Sequence, residues 1–326
     1  MTKIATIGCG LIGQGWATVF AQAGFDVVMY DISPEAAEHA LSAMEKRVAD
    51  LVAFDLISPS DAPAILNRLT VVTSLEEALQ GVVYIQESGP ERIEIKREIT
   101  ERLDALAAPD VPIGSSTSGI SASRYCEDIV GRHRCLVVHP INPPHLIPAV
   151  EIVPTPWTDD NIMSTTKNLM QTCGRETIVL SKEIDGFVVN RLQGALLEEA
   201  FKLVGSGIVS GADLDKAICD GLGLRWSFMG PMQTIHLNAP EGVEQYVERY
   251  GTMYRDFGLG SYDEVDWKEV VESALKVQLE TLIPVADIPT KQAERDRKLM
   301  ALLRHKAREQ SEHRSGPNTS GITKHV

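Results

Sequence analysis

Apolar residues follow two rhythms along this chain, and the change between them falls near residue 185. Before it, short β-branched runs alternate with helical stretches. Ile4-Ala5-Thr6-Ile7, Val27-Val28-Met29-Tyr30, Val82–Ile85, Val111–Ser115, Cys135–His139 and Thr177–Leu180 read as strands, with helices such as Pro34–Phe54 and Glu91–Leu106 between them. This alternation predicts an α/β fold: a Rossmann-type doubly wound parallel sheet with helices on both faces. After Asp185 the strand patterns stop. Asp185 is placed to cap a long helix through Asn190, Leu196 and Phe201, and the chain onward reads as an all-helical C-terminal domain. The expected organisation is a Rossmann domain over 1–184, a helical domain over 185–309 and a flexible polar tail over 310–326. No internal repeat is visible.

The first strand runs into Gly8-Cys9-Gly10-Leu11-Ile12-Gly13, a helical pattern follows through Trp16, Phe20 and Ala23, and the next strand ends on Asp31. Strand, glycine turn, helix, strand and acid in this order form a βαβ dinucleotide-binding unit. Gly8, Gly10 and Gly13 let the backbone turn and approach a pyrophosphate, which the helix N-terminus attracts. Asp31 is placed to accept hydrogen bonds from the adenosine ribose. Its charge would repel the 2′-phosphate of NADP, and Asp31-Ile32-Ser33-Pro34 offers no arginine to neutralise one, so NAD is the expected cofactor. An FAD enzyme uses a similar loop, and a turn or helix cap is the other use of an Asp here.

Charge narrows the partners. With 31 Lys and Arg against 45 Asp and Glu the net charge is −14, which argues against nucleic acid. No apolar run approaches the roughly 18 residues of a membrane span, and Met1-Thr2-Lys3-Ile4 leads straight into a strand, leaving no room for a signal peptide. Cys9, Cys126, Cys135, Cys173 and Cys219 are dispersed, with no CxxC pair. They read as reduced thiols in a cytoplasmic protein rather than a disulfide frame or a metal site. Cys9 reads as a small residue at a tight turn more readily than as a reactive thiol.

Oxidising an alcohol by hydride transfer requires a base for the hydroxyl proton. His139 ends an apolar strand, at the sheet edge where ligands collect in open α/β folds. Glu151 lies in a second apolar run, Ala149-Val150-Glu151-Ile152-Val153, where an unpaired carboxylate is costly. A Glu–His pair would fix the imidazole tautomer and stabilise its protonated form. A satisfied core histidine and an edge-strand charge are the alternatives, and spacing does not separate them. The hydroxyls of Gly114-Ser115-Ser116-Thr117-Ser118-Gly119 could touch substrate or cofactor, or the segment could simply cap a helix at Ser121.

Together Gly8–Gly13, Ser116-Thr117-Ser118, His139-Pro140-Ile141-Asn142-Pro143, Val150-Glu151-Ile152-Val153 and Gly186-Phe187-Val188-Val189-Asn190-Arg191 resemble the 3-hydroxyacyl-CoA dehydrogenase superfamily. Ile85-Gln86-Glu87, Gly207-Ile208-Val209-Ser210, Gly221-Leu222-Gly223-Leu224-Arg225 and the stretch Gly230-Pro231 through Ala239 are most similar to its L-gulonate 3-dehydrogenase and lambda-crystallin branch. The likeness runs from about Ile4 to Tyr250. It implies that His139 is the general base oriented by Glu151, that Ser118 and Asn190 bind the reacting oxygen, and that Asn142 lines the same site. It implies backbone contacts from Leu11 and Ile12 to the pyrophosphate, Asp31 on the ribose, and Glu91 and Lys96 on the nicotinamide side. It also implies that the helical domain binds substrate and forms a homodimer.

The substrate question turns on charge. In acyl-CoA enzymes of this superfamily a lysine-rich helical segment after the second strand meets the CoA phosphates. Here Pro34 to Leu66 carries Glu35, Glu38, Glu45, Asp50, Asp55 and Asp61 against Lys46 and Arg47. Arg225, followed by Trp226, offers instead a bidentate grip on a substrate carboxylate, unless it pairs with a nearby acid such as Asp220. A small free 3-hydroxy acid such as L-gulonate is therefore expected. L-Carnitine, whose ammonium favours an aromatic cage, and a 3-hydroxyacyl-CoA are the alternatives. A non-catalytic NAD-binding, crystallin-like protein is the reading from another class. A lysine base of the 6-phosphogluconate type is disfavoured, because the segment after Asp185 offers Asn190 and no lysine.

Overall fold

Eight strands form one sheet in the computed structural model, which describes residues 2–227, 229–240, 242–256, 273, 281 and 284–314. They are β1 (Lys3–Ile7), β2 (Asp26–Tyr30), β3 (Leu69–Val71), β4 (Val82–Glu87), β5 (Ile113–Ser115), β6 (Cys135–Pro140), β7 (Ala149–Pro154) and β8 (Glu176–Val179), in the spatial order β3-β2-β1-β4-β5-β6-β7-β8. The first six run parallel, as the alternating pattern predicts. β7 is antiparallel to β6, and β8 runs parallel to β7. The reason is chain length. A parallel connection needs a crossover of a dozen or more residues, and 141–148 is too short, so the chain must turn back. The helix Asp160–Thr172 then supplies the crossover from β7 to β8.

Alternate residues along each strand bury into opposite layers. Ile4, Val27, Leu136 and Ile152 pack with Trp16 and Phe20 on one face, and Ala5, Val28, Val137 and Val153 pack with Leu79 and Leu103 on the other. Coverage of both faces explains why the central strands are near-continuous apolar runs. β3 escapes sequence reading because three residues, Leu-Thr-Val, carry too little pattern to distinguish a strand.

Helix α1 (Leu11–Gln22) follows the glycine loop, and α2 (Pro34–Ala53) begins with Ser33, whose hydroxyl accepts from the Ala36 N–H at 3.2 Å. The long helix past residue 185 begins at Val189 and runs to Gly205. Asp185 is therefore not its cap; it accepts a hydrogen bond from Ser121 Oγ at 3.2 Å. Nor does Ser121 cap: the next short helix, Ser123–Cys126, follows Ala122.

By contacts the chain divides into Met1–Asn190 together with the described residues from Ala293 on, and a second unit, Arg191–Gln292. The described part of the second unit is helical, including Gly211–Lys216, Gly223–Trp226, Pro231–Leu237 and Val243–Asp256. A last helix, Ile288–Arg314, returns to the first unit, and the tail expected from 310 lies outside the described residues from 315 on. Among the described residues no helix is long and apolar enough to cross a membrane.

Candidate active site

The reversal of β7 sets His139 directly opposite Glu151. Residues opposed across an antiparallel pair share a face, and here the His139 Nδ1–H donates to Glu151 Oε2 at 2.8 Å. Both side chains are buried. The other carboxylate oxygen, Oε1, accepts from the backbone N–H of Val188 at 2.7 Å and Val189 at 3.0 Å, at the start of the helix Val189–Gly205. Burial alone would raise the Glu151 pKa. The hydrogen bond from His139 and the two backbone N–H groups outweigh it and hold the carboxyl below its ordinary 4.5. With Nδ1 engaged, Nε2 is the nitrogen available to a substrate hydroxyl. Phe187, at φ 52°, makes the turn into the helix and lays its ring 5.5 Å from the imidazole. An ordinary apolar residue gives no sign in sequence of a left-handed backbone.

Ser118 and Asn190 also meet: Asn190 Nδ2 donates to the Ser118 carbonyl oxygen. Glu91 holds the same loop, its Oε1 accepting from Thr117 Oγ1, the Ser118 N–H at 2.9 Å and the Gly119 N–H at 3.2 Å. A chain of hydrogen bonds thus runs from His139 through Glu151 to the turn before Asn190, and from Asn190 through Ser118 to Glu91. Lys96 lies beneath it, 1% exposed, with its ammonium 3.0 Å from Glu87 Oε2 and 3.8 Å from Glu91 Oε2. Buried there, it faces Glu87 and Glu91 rather than open space. Glu87 also takes the Ser115 hydroxyl; a buried lysine looks in sequence like any solvated helix residue, so the Glu87–Lys96 pairing leaves no local sign.

Three glycines shape the turn before α1 differently. A Cβ on Gly8, at φ 101°, would sit 2.7 Å from the Ser88 carbonyl oxygen, and one on Gly13 would sit 1.8 Å from the Gly8 carbonyl oxygen. Gly10 faces open space, beside the first turn of α1, which has no side-chain cap. That turn carries the backbones of Leu11 and Ile12. Asp31 accepts from the Cys9 N–H at 2.6 Å and the Ser33 N–H at 2.9 Å, so the loop is tied to its acid. A cavity of about 310 Å³ opens beside it, lined by Ile7, Tyr30, Asp31, Ile32, Ile99 and Arg102 among others. Open space above the middle glycine, an uncapped helix start, and an acid at the mouth of an apolar cavity fit a dinucleotide. The Cys9 thiol is pushed up to about 12, by burial first and then by Asp31, so it stays protonated.

Asn142 is exposed on the segment 141–148 between β6 and β7. That segment leans on α1, where a Cβ on Gly15 would meet the Pro144 ring at 2.9 Å, and Arg175 Nη1 donates to the Pro144 carbonyl at 2.9 Å. Arg225 belongs to the second unit, where a pocket of about 450 Å³ is lined by Arg225, Trp226, Asn238, Tyr246 and Tyr254 among others. Tyr246 and Tyr254 share a hydrogen bond of 3.0 Å. That bond foremost pushes the Tyr246 hydroxyl above the usual phenol range, and the charge of Arg225 opposes the shift.

Residues 3–184 match the 3-hydroxyacyl-CoA dehydrogenase NAD binding domain, and residues 186–275 match the 3-hydroxyacyl-CoA dehydrogenase C-terminal domain. The chain is 42% identical to lambda-crystallin of Oryctolagus cuniculus over 248 residues, 76% of this chain and 77% of that protein. It is 39% identical to an L-carnitine dehydrogenase of Oceanobacillus iheyensis over 252 residues, 77% and 81% of the two chains. Among solved structures it is similar to 5-formyl-3-hydroxy-2-methylpyridine 4-carboxylic acid 5-dehydrogenase, an NAD+ dependent dismutase, with a TM-score of 0.79, 30% identity, and coverage of 93% of this chain and 98% of that one.

Proposed function

Because this chain belongs to the 3-hydroxyacyl-CoA dehydrogenase family and is an NAD-dependent, hydroxyl-oxidising enzyme, we propose that it oxidises the 3-hydroxyl of a small free acid, L-gulonate-like, with His139 as general base. The observation that carries this reading is the Glu151 carboxylate, bonded by one oxygen to His139 Nδ1 and by the other to the helix start at Val188 and Val189. NAD, when bound against Gly8, Gly10, Leu11, Ile12, Gly13 and Asp31, supplies the hydride acceptor. His139 Nε2 takes the hydroxyl proton, and the ionised Glu151 stabilises the imidazolium that results. Ser118 and Asn190 hold the reacting oxygen, Asn142 lines the substrate, and Glu91, braced by Lys96, fixes the loop that carries Ser118.

Charge supports a free acid over a thioester. On α2 the guanidinium of Arg47 is half-buried; burial lowers its pKa, with Asp296 and Asp50 opposing. Of the two cations between Pro34 and Leu66, only Lys46 is exposed to solvent, against six acids, a poor surface for the phosphates of CoA. Arg225 is the proposed carboxylate anchor. A second reading, L-carnitine, draws on the aromatic faces of Trp226, Tyr246 and Tyr254 in the Arg225 pocket.

NADH formation measured in parallel with L-gulonate, L-carnitine, L-3-hydroxybutyrate and 3-hydroxybutyryl-CoA tests the substrate. Turnover of a free acid but not the thioester is expected; turnover of the thioester alone overturns the reading. His139→Ala should lower kcat on the order of 10²–10⁴, with unchanged turnover sinking the base assignment. Arg225→Met should raise KM for acids while leaving NADH affinity as it was. We also propose a homodimer through the helical unit, where Met232, Leu237, Leu192 and Leu224 are each more than 60% exposed; a monomer in analytical ultracentrifugation would refute it. The cytoplasm is the proposed compartment, consistent with five free cysteines.

A further inference from the structure

Beneath the dinucleotide loop lies a polar network that the reaction does not use. Ser116 Oγ has three neighbours: Trp16 Nε1 at 3.1 Å, Gln86 Nε2 at 2.7 Å and Ser88 Oγ at 2.9 Å. An indole N–H only donates. The orientation of the Gln86 amide is also fixed, because Nε2 faces the Val138 carbonyl at 3.2 Å while Oε1 takes the Tyr84 hydroxyl at 2.7 Å. Trp16 and Gln86 therefore both donate to Ser116 and use both lone pairs of its oxygen. Ser116 has only its proton left for Ser88, so Ser88 is the acceptor in that bond. Its own proton must point elsewhere.

Ser88 follows β4 and is half-buried. Its carbonyl oxygen is 2.7 Å from where a Cβ on Gly8 would stand, and its Cβ is 3.7 Å from where one on Gly13 would stand. Its N–H donates to the Ile7 carbonyl at 2.7 Å. The side chain thus lies against the glycine loop and the first turn of α1. Among the described residues the hydroxyl's hydrogen-bond partner is Ser116.

We propose that Ser88 is a cofactor-binding residue, whose hydroxyl, oriented by Trp16, Gln86 and Ser116, donates a hydrogen bond to a sugar or phosphate oxygen of the bound dinucleotide. The proposal rests on NAD binding and is independent of which acid is oxidised. The experiment is a fluorescence titration of the full chain with NADH, without substrate, alongside thermal unfolding of the ligand-free protein, for wild type, Ser88→Ala and Ser88→Thr. Ser88→Ala should raise the Kd for NADH roughly five- to tenfold, the worth of one hydrogen bond, and, because it also takes away the acceptor of the Ser116 proton, lower the ligand-free Tm by a few degrees at most. Ser88→Thr, which keeps the hydroxyl, should restore most of the affinity. A Kd for Ser88→Ala within about twofold of wild type overturns the proposal. So does a loss of affinity that tracks a fall in the ligand-free Tm and that threonine does not repair.

Discussion

Glu151 faces two elements at once, and its ionisation couples chemistry to folding. Its carboxyl is held below 4.5 in the folded chain, where burial works to raise it and the bonds from His139, Val189 and Val188 win. An unfolded carboxyl lacks those bonds. A group with a depressed folded pKa adds stability above its unfolded value, and that stability is lost as pH falls from about 4.5 through the folded value. Glu151→Gln should therefore lower Tm at neutral pH and flatten the loss of Tm below pH 4.5 relative to wild type; parallel Tm–pH curves would contradict this. The same variant should lower kcat on the order of 10²–10⁴, since an amide cannot stabilise the imidazolium. The pair was half legible in sequence: a carboxylate inside an apolar run demands a partner, but spacing left a core histidine and an edge-strand charge open, and the family resemblance joined the two. What was not legible was the second half of its bonding. Asp185 has the look of a helix cap, whereas Glu151, 37 residues before Val188, meets the backbone at Val188 and Val189. Local spacing reports only local partners, and this one depends on how β7 pairs.

At the scale of elements, the glycine turn and the β6–β7 reversal carry the site. The turn's glycines serve distinct ends, and one substitution at two positions separates them. A Cβ on Gly13 would lie 1.8 Å from the Gly8 carbonyl oxygen, so the backbone must shift. Gly13→Ala should cost on the order of 1–3 kcal/mol of stability without ligand. Gly10 has nothing within 4 Å of that position and sits at φ −71°, which alanine also adopts. Gly10→Ala should leave ligand-free unfolding nearly unchanged and weaken NADH instead, its methyl filling the open space in which the proposed dinucleotide would lie. Equal Tm losses in the two variants would count against the separation. The turn was fully readable because strand, glycines, helix and acid follow one another along the chain. The reversal departs from the parallel sheet that the alternation predicts; its cause is the length of 141–148 set against the minimum for a crossover, a property of connections rather than of residues. It is this reversal, a departure from the parallel pattern, that sets Glu151 across from His139.

Across the whole first unit, the chain's last described helix returns to the segment that joins β6 and β7. Met300 is buried with Leu51 at the end of α2 and with Leu146 in 141–148, and Phe54, Leu56, Ile57, Leu299 and Leu303 flank them. Arg304 reaches Asp55 at 3.2 Å beside this cluster. The apolar contact should dominate. An exposed ion pair is worth about 0–1 kcal/mol, whereas truncating a buried methionine costs about 2–5 kcal/mol through lost transfer energy and the cavity left behind. Met300→Ala is thus expected to lower Tm by several degrees, and Arg304→Ala to leave it within about a degree or two. The effect should also have a direction within the site. Leu146 follows Asn142 by four residues in 141–148, whereas the glycine loop leads out of β1, so kcat should fall more than NADH affinity in Met300→Ala. An unchanged Tm would mean that the helix does not stay docked in solution. A Tm loss with kcat intact would mean that 141–148 keeps its place on Gly15 and Arg175 alone.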